Sequence, residues 1–216
     1  MATPNIIPRA DSQGKIGTTS KRWLEGNFDT VKCDGAVTGL NYRTIYVDAG
    51  SMVPSVTNGA QAGTEESAAN KVTVDYFAFD ASTDEYTQFK IVMPEQWDRG
   101  AVRARYYWKT SNTDTGTVVW ALEGLTYTHS DDFFGGTFGT PAAADPQAGT
   151  GTDNDLHITL ITGTGACTVQ GTHAEDNLVL FRITRDISAD SYNTDAHLLG
   201  VSIQYRESSS AEAVWS

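Results

Sequence analysis

Helical periodicity is nearly missing from this chain of 216 residues. No long window places apolar residues at i, i+3, i+4 and i+7, which argues against an all-α or doubly wound fold. Cysteine is scarce as well. Cys33 and Cys167 are the only two, and their wide separation gives neither a disulfide framework nor a zinc-ligand spacing. They read as two free, buried thiols. No apolar run approaches the ~20 residues that span a bilayer, so no membrane insertion is expected. No charged-then-apolar signal peptide opens the sequence. The expectation is a soluble product of the cytoplasm that leaves, where it leaves, by a route such as lysis. Catalytic signatures are also lacking. There is no Gly-x-Ser-x-Gly elbow, and Gly163-Thr164-Gly165 has no Lys-Ser/Thr after it to make a phosphate loop. Four histidines, His129, His157, His173 and His197, show no nucleophile-activating arrangement. No catalytic residue and no cofactor is assigned.

Positive charge is short too, and unevenly placed. Against a net charge of −12, residues 1–43 carry six basic and four acidic side chains. The remainder carries nine basic and twenty-three acidic ones. An acidic body repels phosphates, which excludes nucleic acid as a partner. The mildly basic leader is suited to an acidic surface, or is ordinary surface variation.

What the chain has in quantity is strand. Alternating or β-rich runs recur at 44–47, 72–79, 86–93, 102–108, 117–125, 156–161, 167–169, 178–184 and 198–205, separated by turn residues. In the last run Leu199, Val201, Ile203 and Tyr205 share a face opposite Ser202 and Gln204. In the run before it Val179, Phe181 and Ile183 oppose Arg182 and Thr184. One apolar and one polar face is the mark of antiparallel sheets packed on one side. The fold expected is all-β: a jelly-roll-like antiparallel β-sandwich over 43–207. A short β-rich anchoring and oligomerisation segment at 1–42 precedes it, and a flexible tail at 208–216 follows. Long loops lie at 50–70 and 129–155. Phe133, Phe134 and Phe138 are too apolar for a free loop and are expected to pin the second one to the body or to a neighbour.

Two constellations in the body invite a chemical reading. Trp97 or Tyr107, laid flat on the surface, would make a stacking platform for a sugar ring; buried packing is the competing reading. Asp153, Asp155 and His157 alternate, and on a strand would share a face able to hold a divalent cation. They follow Gly-Thr-Gly-Thr, which is loop chemistry, so no metal is assigned. Asp98-Arg99-Gly100 reads as a turn with Gly100 free to take positive φ.

The leader is the most distinctive stretch. Residues 11–40 run Asp11-Ser12-Gln13-Gly14-Lys15-Ile16-Gly17-Thr18-Thr19-Ser20-Lys21-Arg22-Trp23 and continue through Leu24, Phe28, Val31 and Gly35. It is too short and polar to build a core, yet it carries large apolar side chains that need one. The run Gly-x-Ile-Gly-Thr, then Lys-Arg-Trp, then an aromatic residue and a short strand, resembles fibre and appendage proteins of tailed bacteriophages. The block 88–108, with Val118-Val119-Trp120, is similar to a domain that recurs in phage and prophage virion proteins. The resemblance implies a virion structural protein, located in the particle: a short fibre, spike or decoration protein. It would be a homotrimer held to capsid or tail proteins of the same virion, with Ile16, Lys21, Arg22, Trp23, Leu24, Phe28 and Val31 as the attachment and oligomerisation set. The alternative is a carbohydrate-binding module that recognises host surface glycans. A glycan-degrading enzyme is third, since two placed carboxylates would suffice for it.

Overall fold

The computed structural model describes residues 42–159, 166–173 and 177–208. The leader's attachment residues Ile16, Lys21, Arg22, Trp23, Leu24, Phe28 and Val31, together with Cys33, lie outside the described residues, as does the tail from 209 on.

The described residues form a two-sheet sandwich. In chain order the strands are β1 (Tyr42–Asp48), β2 (Val53–Pro54), β3 (Gln61–Glu66), β4 (Thr73–Phe79), β5 (Tyr86–Val92), β6 (Val102–Lys109), β7 (Thr117–Val118), β8 (Trp120–Tyr127), β9 (Ala142–Ala143), β10 (Gln147–Ala148), β11 (Leu156–Ile158), β12 (Ala166–Cys167), β13 (Val169–Gln170), β14 (Leu178–Arg185) and β15 (Ala196–Arg206). The first sheet has the order β11-β6-β15-β4-β3, with β12 also on β6 and β1 also on β15. The second has the order β13-β8-β14-β5-β2, with β9 on β8. The chain steps from one sheet to the other between β1 and β2, β2 and β3, β4 and β5, β5 and β6, β6 and β8, β9 and β11, β12 and β13, and β14 and β15. All pairings in the two sheets are antiparallel except β13 with β8. This is the jelly-roll-like sandwich that the alternation implied.

The core is aromatic and lies between the sheets. Trp108, Trp120, Tyr106, Phe79, Phe181, Ile183, Leu198 and Ile203 are fully buried. Phe79 meets Trp120 edge-on at 5.0 Å, and Phe89 stacks with Phe181 at 5.3 Å, geometries that aromatic quadrupoles favour. Cys167 is a free, buried thiol, pushed up to about 12 by desolvation first and by Glu123 second.

Several details depart from the sequence reading. A β-bulge lies between Leu198 and Gly200. The extra residue turns Leu198 into the core and Leu199 out, so Leu199 does not share the face of Val201, Ile203 and Tyr205. Strand β3 falls within the 50–70 stretch. It is an edge strand, mostly exposed, so no apolar alternation signals it. The run 167–169 splits at Thr168, and its halves belong to different sheets. In the 98–100 turn it is Arg99, not Gly100, that takes positive φ (60°), while the Asp98 carboxylate accepts the Gly100 N–H at 2.9 Å.

Arg185 closes one end of the sandwich. Its side chain is fully buried, and every donor is used. Nε and Nη2 donate to the two Asp190 oxygens at 2.8 and 2.9 Å. Nη1 donates to the Phe79 and Thr194 carbonyls at 3.0 and 2.7 Å, and Nη2 also donates to the Tyr192 carbonyl. Asp190 in turn accepts from the Val119 and Tyr192 N–H groups. One guanidinium thus ties the end of β14 to the end of β4 and to the 186–195 connection. Removing one partner of such a pair strands a buried charge and costs about 3–5 kcal/mol. Asp190→Asn is expected to lose stability of that size in urea unfolding. A loss under about 1 kcal/mol, the worth of an exposed pair, would contradict this role.

Candidate functional site

The outer faces of the two sheets differ. On the second sheet, residues 128–149 lie against the strands. Phe133 stacks on Tyr127 at 4.6 Å, and Phe138 lies 4.4 Å from the Arg182 guanidinium. Arg182 also sits 4.6 Å over Tyr86 and is clamped by Glu123 through two bonds of 2.6 and 2.8 Å. Phe133 and Phe138 therefore pin this loop to the body as expected. Phe134 does not; it is 95% exposed.

The outer face of the first sheet carries an unburdened row of aromatic and basic side chains. Direct cross-strand partners point to the same side. On β1, β15 and β6 this places Thr44, Gln204 and Arg103 in one row, Tyr46, Ser202 and Arg105 in the next, and Asp48, Gly200 and Tyr107 in a third. Tyr42 opposite Arg206 completes the grid. The inward residues of the same strands, Ile45, Val47, Ala104, Tyr106, Val201 and Ile203, belong to or pack on the core.

Tyr46 and Tyr107 meet edge to face at 5.5 Å. The Tyr46 hydroxyl lies 3.4 Å from both the Asp48 carboxylate and the Leu199 carbonyl. Its ring lies across Gly200, where a Cβ would overlap the hydroxyl and ring. Glycine is what lets the ring lie down on the sheet, and 52% of Tyr46 stays exposed. Ser202 Oγ donates to the Tyr107 hydroxyl at 3.3 Å. Arg103 sits 5.7 Å over the Tyr42 ring.

The neighbouring part of this face holds a second tyrosine built the same way. Tyr76 lies over Gly63 and stacks on His197 at 4.2 Å and 8°. Lys109, nearly buried, donates to Glu65 at 2.8 Å and to Asn154 at 2.6 Å, with its ammonium 5.6 Å from the Tyr76 ring. Lys109 holds the Glu65 carboxyl below the usual range. A cavity of about 400 Å³ opens here, lined by Glu65, Lys109, Asn154, Val74, Leu156 and Leu199. It is in the size range of small-ligand sites, and Leu199 joins it to the Tyr46 platform.

The positions singled out from sequence fare differently. Tyr107 is on this face. Trp97 is not: it is 3% exposed, donates its indole N–H to the Gly100 carbonyl at 3.1 Å and packs on His173. The buried-packing reading holds for it. Trp97 bridges Glu207 while Trp108 pairs with Leu198, nine residues away along β15, or ~30 Å. These two tryptophans do not cluster. Asp153, Asp155 and His157 do not share a strand face. β11 begins at Leu156, so both carboxylates belong to the preceding turn, where Asp155 accepts from Thr150 Oγ1 at 2.5 Å. His157 points inward and stacks on Trp108 at 4.3 Å, and burial lowers its pKa. No group of three or more metal-ligating side chains occurs among the described residues. Tyr42, Tyr46, Tyr76, Arg103, Arg105 and Lys109 were not singled out. For two of these strands the signal was present: Arg103, Arg105 and Tyr107 alternate with Ala104 and Tyr106, and Tyr42, Thr44 and Tyr46 with Ile45 and Val47.

A second open cavity, at the Arg185 end, brings Asp80 and Asp195 together beside His197. Burial, then the Asp80 charge, raises Asp195, whereas the Ser82 hydroxyl and backbone lower Asp80. Two carboxylates with opposed shifts resemble an acid and base pair. Here, however, Asp80 Oδ1 is consumed by its own turn, accepting from Ser82 N, Ser82 Oγ and Thr83 N.

His197 makes the face sensitive to acid. Burial first, and the Lys109 charge second, lower it to about 4, against ~6.5 in an unfolded chain. Above pH 6.5 the group is neutral in both states and contributes nothing. As pH falls below 6.5 the unfolded state takes the proton first, so stability is lost progressively until about pH 4. The loss is about 2 kcal/mol once partial solvent access is discounted. Glu85 and Asp195, raised mainly by burial, act in the opposite direction, so the test is a difference. His197→Gln is expected to retain more stability than the parent at pH 4.5 relative to pH 7. Equal slopes for the two proteins in paired urea titrations would refute it.

No known protein family matches the chain, and no curated protein matches it. Solved structures do. One is a carbohydrate-binding module, TmCBM27, described for specific mannan recognition: 11% identity and a TM-score of 0.35 over 77% of this chain and 99% of that one. Another is a family 11 carbohydrate-binding module from Clostridium thermocellum, in complex with a beta-1,3-1,4-mixed-linked tetrasaccharide: 9% identity and a TM-score of 0.34 over 80% and 90%. A third is the isomalto-dextranase of Arthrobacter globiformis T6, complexed with panose: 15% identity and a TM-score of 0.41 over 74% of this chain. This chain spans 23% of that enzyme's length. Likeness at these scores carries no weight for function, and the fold stands on the strand pairings given above.

Proposed function

We propose that the sandwich is a non-catalytic carbohydrate-binding module whose ligand lies on the outer face of the first sheet. The observation that carries this is the Tyr46–Tyr107 pair: two rings on an open sheet face, one of them laid flat over a glycine, fringed by Thr44, Gln204, Ser202 and Arg105. A tyrosine ring offers an apolar face to the C–H side of a sugar while its hydroxyl stays wet. The hydroxyl and amide fringe supplies donors and acceptors for sugar hydroxyls. Neither ring is needed in the core, which is filled from the other face of the same strands. The adjoining cavity beside Lys109 and Asn154 would take a second sugar unit or a substituent.

A second reading concerns what carries the module. The leader's resemblance to phage fibre and appendage proteins favours a virion structural protein: a homotrimer joined and anchored to capsid or tail proteins through residues 1–42, with the sandwich displayed outward. The two readings are compatible, because an anchored appendage that binds glycans would use both parts. Immunoelectron microscopy of purified particles with antibody to the chain tests it. Label on intact particles is expected, and its absence from particles made with the intact gene would count against the virion role.

Tyr46→Ala and Tyr107→Ala are each expected to weaken binding in a screen of polysaccharides by affinity electrophoresis about tenfold or more, equivalent to ~1.4 kcal/mol. Tyr46→Ala should leave thermal stability nearly unchanged, since half of that side chain is already exposed. Trp97→Ala, which empties a buried site, should cost about 3–5 kcal/mol of stability. Retained glycan binding in the Tyr46→Ala, Tyr107→Ala double variant would rule out this face.

A further inference from the structure

The proposal for this face can be carried to the charge of its ligand, resting on the carbohydrate-binding reading above. The body of the protein is strongly acidic, with nine basic against twenty-three acidic residues after position 43. The tyrosine platform is the exception. Arg103 and Arg105 project from β6 beside Tyr107, and Arg206 projects from β15 opposite Tyr42. Among the described residues, exposed Arg105 has no hydrogen-bond or ion-pair partner, and Arg103 approaches only the Tyr42 ring with its charge. Arg206 reaches Asp98 only at 3.8 Å. The acidic side chains bordering the face are occupied. Glu65 is neutralised by Lys109, and Asp48 accepts the Gly50 N–H at 2.9 Å.

The fold does not account for these arginines. Charged side chains on strands often serve to blunt a free edge, but β6 is an interior strand, flanked by β15 on one side and by β11 and β12 on the other. A guanidinium presents a rigid fork of donors that matches a carboxylate or a phosphate. We propose that this face recognises an anionic glycan, with sugar rings on Tyr46 and Tyr107 and a carboxylate or phosphate substituent on Arg105 and Arg103. The acidic remainder of the surface then repels the same polymer, which confines it to the one basic strip.

The test compares polygalacturonate, a phosphorylated mannan, neutral mannan and neutral galactan by isothermal titration at low and high salt. At least one anionic polymer is expected to bind about tenfold or more tightly than its neutral counterparts at low salt, with the advantage shrinking as salt rises. The two anionic arms separate carboxylate from phosphate recognition. Arg105→Ala and Arg103→Ala, verified as folded by circular dichroism, should cut anionic binding about tenfold or more, to the level of the neutral polymers, and remove its salt dependence. If neutral polymers bind as well as anionic ones, or the arginine variants bind like the parent, the charge inference fails and the carbohydrate-binding reading survives. If none of the four polymers binds, both fall. If Tyr46→Ala or Arg105→Ala instead lowers the molar mass in light scattering, the face is an interface between copies, and the proposal is overturned.

Discussion

A single buried guanidinium bears on everything else in this sandwich. Arg185 ends β14 inside the protein, and its five N–H donors go to Asp190, to the Phe79 and Thr194 carbonyls and to the Tyr192 carbonyl. Burying an arginine is costly unless each donor is met, and here each is. The cost of failing to meet them is what fixes the 186–195 connection. That connection delivers the chain to β15, the central strand of the first sheet. β15 pairs with β6 on one side and with β4 and β1 on the other, so its placement sets the register of every residue on the outer face. Total stability for a domain of this kind is about 5–15 kcal/mol. One pair costing about 3–5 kcal/mol to break is a large share of it.

Function follows from an asymmetry between two outer faces. On the second sheet the 128–149 loop, the Glu123–Arg182 clamp and the Phe138 and Tyr86 rings leave little unsatisfied. On the first, the β15 bulge turns Leu199 outward, Gly200 admits the Tyr46 ring, and Arg105 has no partner among the described residues. A one-residue insertion in one strand therefore does two things. It keeps Leu198, Val201, Ile203 and Tyr205 in the core on both sides of the bulge, and it builds the join between the tyrosine platform and the Lys109 cavity.

The fold class and the inner face of β14 were legible because period-two alternation reports burial directly. Val179, Phe181 and Ile183 are buried where alternation places them. Leu199 was misplaced because a bulge shifts the parity without leaving a mark in composition. β3 was missed because an edge strand of Gln, Gly, Thr and Glu buries little, and its hydrogen bonds leave no hydrophobic trace. The outward direction of Tyr107 is legible in the sequence, since Tyr106-Tyr107-Trp108 on one strand sends the middle residue to the other face. Alternation with Ile45 and Val47 marks Tyr46 as outward, but the space that lets its ring lie down comes from Gly200, which is remote in sequence and adjacent only through the β1–β15 pairing. Trp97 stood beside Tyr107 as a platform candidate with buried packing as the competing reading; its indole N–H has a backbone acceptor three residues on, and its ring fills the core. Size and aromaticity alone do not distinguish a ring that faces a ligand from one that faces the interior. The leader residues that carry the resemblance to phage appendages lie outside the described residues.

The central claim is that the outer face of β1, β15 and β6 holds a glycan. Amide chemical-shift mapping of the full chain, titrated with a soluble oligosaccharide that binds in the polysaccharide screen, tests it most directly. The account predicts saturable shifts confined to residues of that face, led by Tyr46, Tyr107, Ser202 and Arg105, with the β5, β8 and β14 sheet unmoved. Shifts centred on the 128–149 loop or on the outer face of β8 and β14, with Tyr46 and Tyr107 unchanged, would contradict it.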